Sequence, residues 1–302
     1  MEGSVFHPVF GAMIGLFDLP VGAALLDFLQ TDVPRYTGEL VLQLRWLMIV
    51  VGLVNGFLVG LTGVGGGTLL TPLLILLGVR PTMAVGTDLL YAATTKLAGT
   101  YQHGQRGSIH WNWVFYLALG SIPASLAATF LIREISLQYG SADQLVRIGL
   151  GAVLLISAAL MLVNELYWKR RRQADSQAED YNPRFHIVRM VLLGIAVGFA
   201  VGLTSLGSGS IVAVILMALS RLPATGIVGT NIAHGLVLLS AAALAHWQLG
   251  TVDVVLAANL LLGSLPGVML GSRLAYFAPA RPLKIGISLL VLLGGFRMLR
   301  AL

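Results

Sequence analysis

Along most of the chain the hydrophobic positions follow neither the alternation of a half-buried strand nor the one-sided stripe of a surface helix. They form long runs from which charge is missing. No residue is charged from Trp46 to Val79, nor from Met190 to Ser220. Each run is about 31 to 34 residues long, whereas about 20 apolar residues suffice for a helix to cross a bilayer. Such a run is too long for one crossing and has little room for two with a loop between. Both are interrupted by glycine. The first carries Gly60-Leu61-Thr62-Gly63-Val64-Gly65-Gly66-Gly67-Thr68, followed by Pro72. Clustered glycines resist ordered helix and open backbone conformations closed to other residues. The pattern therefore predicts a broken helix, whose freed N–H and C=O groups are tolerated in a membrane only against protein or a cavity.

The second run repeats the device. Gly202-Leu203-Thr204-Ser205-Leu206-Gly207-Ser208-Gly209-Ser210 follows Gly60 to Thr68 position by position. After a one-residue insertion, Gly86-Thr87-Asp88 is echoed by Gly229-Thr230-Asn231, His103 by His246, and Gln105 by Gln248. Gly107 is echoed by Gly250, and Gly120-Ser121-Ile122-Pro123 by Gly263-Ser264-Leu265-Pro266. The chain is a duplication. Paired, glycine-interrupted hydrophobic segments in two halves point to a carrier's binding site near the bilayer midplane.

The predicted order is an interfacial or extra segment over 1–40, a first transmembrane repeat over 41–166, a polar basic linker over 167–185, and a second repeat over 186–302. The first repeat holds segments at about Val41–Thr62, Gly65–Leu77, Thr82–Tyr101, Trp111–Ile132 and Gln144–Asn164. The second holds them at His186–Leu203, Gly207–Leu219, Ala224–Trp247, Val252–Tyr276 and Leu283–Leu299. Trp111, Trp113, Tyr116, Tyr167 and Trp168 suit an interfacial aromatic belt. The fold class is thus all-α, a polytopic helical membrane protein of two homologous five-segment halves. Five is odd, so if every segment spans, the halves lie in opposite orientations as inverted-topology repeats with broken helices. If the short second segments enter and leave on one side, the repeats are parallel. Inversion is the favoured reading.

Composition agrees. The chain is 57% hydrophobic and 11% charged, against roughly 25% charged in soluble domains, and its mean hydropathy is +0.86. A soluble helical core would need charged outer faces that are missing. The net charge of +6 is partly Lys169-Arg170-Arg171-Arg172, which reads as a cytoplasmic topology signal and not as a nucleic-acid footprint. Without cysteine there is no disulfide or thiolate metal site. The glycine-rich stretches lack a phosphate-loop lysine, and no His-Glu-x-x-His motif occurs. No metal or cofactor is expected; the partners are the lipid bilayer and a small anionic substrate. The oligomeric state is left open.

An anion suits the N-terminal end of a half-helix, where N–H groups converge and the helix dipole is positive. The candidate binding residues are Thr62, Gly65, Gly66 and Gly67 with Thr204, Gly207, Ser208 and Gly209, completed or braced by Thr87, Asp88, Thr230 and Asn231. Ionisable residues within membrane segments default to functional candidates. Asp88, Lys96, His103, His234 and His246 are candidates for coupling, for instance to a proton, or for gating. Bland readings stand beside these: Asp88 as a cap for a broken helix, Lys96 snorkelling from near its segment's end, His103 and His246 as interfacial histidines, and His234 bonded across two helices. A rival of another class is a membrane-embedded serine hydrolase using Ser208 or Ser210 with His234. The duplication argues against it, since the first half has Gly66, Thr68 and Tyr91 there. A channel is a third reading.

The two glycine-rich motifs, with Pro72, Ala84-Val85-Gly86-Thr87 and their echoes, resemble the TauE/SafE sulfite exporter family, also called the toluene sulfonate uptake permease family. The resemblance covers about residues 45–275. The second repeat departs from it with Ser208 in place of Gly66 and Val214 in place of Pro72. The resemblance implies a bacterial inner-membrane, multi-pass carrier, not an enzyme, for sulfite, sulfoacetate or related organosulfonates.

Overall fold

The computed structural model describes residues 38–62, 67–163, 183–220, 222–274 and 280–300. The chain divides into two units, residues 1–44 and residues 45–302, and the helical body is the second. Most of the 1–40 segment, the greater part of the basic linker with Lys169–Arg172, Tyr167, Trp168, and Gly65 and Gly66 lie outside the described residues.

Among the described residues ten helices and no strand occur: α1 Gly38–Thr62, α2 Gly67–Leu76, α3 Pro81–Gln105, α4 Trp111–Tyr139, α5 Asp143–Val163, α6 Pro183–Thr204, α7 Ser210–Leu219, α8 Ala224–Gln248, α9 Val254–Leu274 and α10 Ala280–Arg300. Five contain stretches long and apolar enough to cross a membrane: Trp111–Tyr139, Asp143–Leu160, Ile187–Thr204, Thr225–Gln248 and Val254–Gly271. α3 is as long as α8, 25 residues each, but Asp88, Lys96 and the polar turn before Gln105 lower its hydropathy. α2 and α7 have ten residues each, about 15 Å of helix and so about half the hydrocarbon thickness. They are half-helices. Large apolar side chains such as Phe115, Leu192, Leu262 and Leu293 point outward, as a surface facing lipid tails requires.

Two expected ends move. α4 continues about two turns past Ile132 and stops at Gly140, whose φ of +79° makes it a left-handed C-cap. α3 runs one turn past Tyr101, through polar residues that no hydrophobic pattern would include.

The helices interlock across the duplication. Gly194 and Gly198 of α6 lie against the backbone of Leu117 and Ser121 of α4, and their counterparts Gly52 and Gly56 of α1 lie against Leu260 and Ser264 of α9. The approach is close: a Cβ at Gly198 would stand 2.0 Å from the Ser121 carbonyl oxygen, and one at Gly56 would stand 2.4 Å from that of Ser264. Each half's first helix thus packs on the other half's fourth through small residues. The third helices, α3 and α8, pack on each other. Gly86 near the start of α3 meets Thr251 just beyond α8, and Gly229 near the start of α8 meets Ser108 just beyond α3. These two equivalent helices therefore run antiparallel. The fifth helices, α5 and α10, also pack on each other, Gly151 against Leu299 and Gly295.

Candidate functional site

The second break is described in full. α6 ends at Thr204; Ser205 takes a left-handed φ of +63° and Gly207 one of +97°, which turns the chain from one helix into the next. Residues 201–209 are all buried. Thr204 secures the turn locally: its hydroxyl donates to the Ala200 carbonyl at 2.6 Å and accepts from the Leu206 N–H at 3.2 Å. That hydroxyl is engaged within its own turn, so the substrate contact expected of it is replaced by a capping role. α7 then begins at Ser210 with Gly209 as N-cap and no side chain capping it. The hydroxyls of Ser205 and Ser210 are buried and find no partner among the described residues. The site is therefore an interior helix N-terminus, with its dipole's positive end inside the protein and the Ser210 hydroxyl on its first residue. At the first break Thr62 closes α1 and Gly67 opens α2.

The third helices hold these breaks. Asn231 of α8 donates from Nδ2 to the Gly209 carbonyl at 3.0 Å. Its counterpart Asp88 of α3 accepts from the Thr71 hydroxyl of α2 and is fully buried, 0% exposed. Its Oδ1 has no partner among the described residues, though Ser205 of the opposite half stands beside it. Each third helix thus grips its own half-helix, and Asp88 also faces the other half's break. Thr87 and Thr230 act as braces between halves. Thr87 Oγ1 accepts from the Asp253 N–H at 3.0 Å, and Thr230 Oγ1 accepts from the His110 N–H at 3.0 Å.

The histidines divide. His246 is fully buried. Its Nε2 lies 2.9 Å from the Gly202 carbonyl oxygen, to which it donates, and its Nδ1 lies 2.9 Å from Thr251 Oγ1. It ties down the last turn of α6 before the break from inside the protein. His103 is half-buried and pairs with Ser108 at 2.8 Å. His234 is fully buried and bonds Ser121 of α4 at 2.9 Å through Nε2. The pairing with Ser208 or Ser210 that a hydrolase would need is therefore not made. Lys96 is half-buried and packs over Gly235 of α8, nine residues before the end of α3.

One element escapes the sequence pattern. Tyr91, the counterpart of His234, shares a 2.6 Å hydrogen bond with Ser264 and accepts another from Asn55 Nδ2 at 3.2 Å. Ser264 is the counterpart of Ser121. The duplicated Gly-Ser-x-Pro signature is the available signal: its glycine admits the opposite half's first helix, and its serine bonds a third helix.

The family model described as sulfite exporter TauE/SafE matches residues 48–298. A "Probable membrane transporter protein YjnA" of Bacillus subtilis is 40% identical, over 83% of this chain and 98% of its own length. A second Bacillus subtilis relative, "Probable membrane transporter protein YdhB", is 29% identical over 84% of this chain and 99% of its own. "Sulfite exporter TauE/SafE family protein 1" of Arabidopsis thaliana is 29% identical over 39% of this chain and 26% of its own length. No solved structure matches.

Proposed function

The chain belongs to the sulfite exporter TauE/SafE family, and we propose that this multi-pass membrane protein is a secondary carrier of small sulfur-containing anions. Sulfite, sulfoacetate or another organosulfonate would be held between the halves and moved across a bacterial inner membrane by alternating access. The observation that carries this reading is the side-chain-uncapped start of α7 inside the protein, with the Ser210 hydroxyl on its first residue unpartnered among the described residues. Backbone N–H groups and hydroxyls suit the three oxygens of a sulfite or sulfonate head. Being neutral, they also let the ion leave, as a carrier requires.

The antiparallel pairing of α3 with α8 supports inverted repeats, since equivalent helices that both span must then face opposite ways. Asp88 is the proposed seat of a coupling proton, because its buried carboxyl bonds Thr71 of the first half-helix and faces Ser205 of the second break. A thermal-shift panel of purified protein against sulfite, sulfoacetate, taurine, sulfate and an uncharged analogue tests the reading. At a hundredfold excess over Kd a true ligand adds about 2.7 kcal/mol of apparent stability. A selective shift with one sulfur anion supports the reading; no shift with any anion removes it.

A further inference from the structure

One cation on the paired third helices is not absorbed by the half-helix site. Lys96 stands nine residues before the end of α3 at Gln105, roughly 13 Å from it at 1.5 Å per residue. There α3 crosses α8: Gly99 meets Ile232, and Lys96 lies on Gly235 so closely that a Cβ there would be 2.7 Å from Nζ. The ammonium lies on the neighbouring helix. It makes no hydrogen bond or ion pair among the described residues. The nearest acid along α3, Asp88, is tied to Thr71. Asp253 accepts from the Leu256 N–H, and Asp143 accepts from Thr82. Lys96 is half-buried, and an ammonium partly withdrawn from water without a counter-charge is stabilised by an opposite charge that meets it.

Two further polar groups stand there without partners. His234 precedes Gly235 and lies within electrostatic range of Lys96; its Nε2 is taken by Ser121 and its Nδ1 is buried and unbonded. Thr100 lies one turn beyond Lys96 on the same face, and its buried hydroxyl is also unbonded. We propose that Lys96, His234 and Thr100 form a second oxyanion position at the α3–α8 crossing, taking the same small sulfur oxyanions as the half-helix site. The lysine supplies the charge. Thr100 donates its hydroxyl, and His234 donates from Nδ1–H when Ser121 donates to Nε2. The counterparts of these three residues are Leu239, Tyr91 and Ala243, so the position exists once, whereas the glycine-rich breaks exist twice. The proposal takes its ligand class from the transport reading and its location from Lys96.

Calorimetric titration of the purified full chain with sodium sulfite tests it, comparing wild type with Lys96→Gln, Lys96→Arg and Thr100→Val. Losing one charge-assisted contact weakens binding about tenfold or more. Lys96→Gln should show that loss, Lys96→Arg should stay within about threefold, and Thr100→Val should weaken binding a few-fold by the loss of one neutral hydrogen bond. Wild-type sulfite affinity in both Lys96→Gln and Thr100→Val overturns the proposal; if Lys96→Gln does not fold, Thr100→Val alone decides. Sulfite flux into proteoliposomes separates the two readings. Binding that falls as stated, without saturable wild-type flux, keeps the position and removes the carrier. Saturable flux with unchanged binding in the variants keeps the carrier and removes the position.

Discussion

The two halves use the same joints with different chemistry. In the second, Asn231 donates to the Gly209 carbonyl and holds the start of α7. In the first, Asp88 accepts from Thr71 and holds α2 from inside. One turn further along, His234 bonds Ser121 while Tyr91 bonds Ser264. The geometry of the joint is duplicated; the group that makes it is not. Scaffold bonds tolerate the exchange of tyrosine for histidine, because either reaches a serine across the crossing. Charge does not transfer in this way. The buried acid Asp88 and the half-buried Lys96 both sit on α3, while the buried histidines His234 and His246 sit on α8, so the structural load is shared by the halves while the carboxyl and the ammonium lie in the first.

Breaking the shared joint should have the largest effect. Gly198→Val and Gly56→Val drive a side chain into a carbonyl of the facing helix, and each should cost about 3 kcal/mol or more, beyond ordinary overpacking. Gly294→Val meets nothing within 4 Å and serves as control. Equal loss of folded yield in the first two, measured by size-exclusion profile and melting temperature, supports equivalent crossings; a tolerated Gly56→Val would break the equivalence.

Exchanging the unlike residues sharpens the comparison. Asp88→Asn should fold, since a neutral amide serves at this position in the other half, yet sulfite flux and its pH dependence should fall by about tenfold or more if the proton sits there. Asn231→Asp replaces a donor by an acceptor facing the Gly209 carbonyl, and should destabilise by about 1–3 kcal/mol. Undiminished pH-dependent flux in Asp88→Asn would remove Asp88 as the coupling group. The smallest effects belong to Ser121→Ala and Ser264→Ala, about 1 kcal/mol each in stability. A much larger cost for one alone would mean the two joints are not interchangeable.

Much of this architecture can be read in the sequence because it is repeated. The uncharged runs, their glycine breaks and the spacing of the echoes locate both half-helices within a few residues. Partners across the halves are not legible in that way. Ser121 and His234 are 113 residues apart and Tyr91 and Ser264 173, and no local period connects them. The depth of Lys96 is hidden because hydrophobicity fades at Tyr101 while the helix continues to Gln105, held by packing on α8. Thr204 shows the converse limit: a hydroxyl beside a glycine break has the right chemistry for a ligand, and the turn itself claims it.

If an oxyanion sits at the half-helix ends between the halves, it can be seen there directly. Selenite, a heavier analogue of sulfite, allows that test through anomalous diffraction from crystals of the full chain. A selenium peak is expected within hydrogen-bond reach of the backbone N–H groups of Ser208, Gly209 or Ser210. A second peak beside Lys96 is expected if the further position is also filled. Selenite found only outside both places, at concentrations that saturate transport, would contradict an oxyanion site in either.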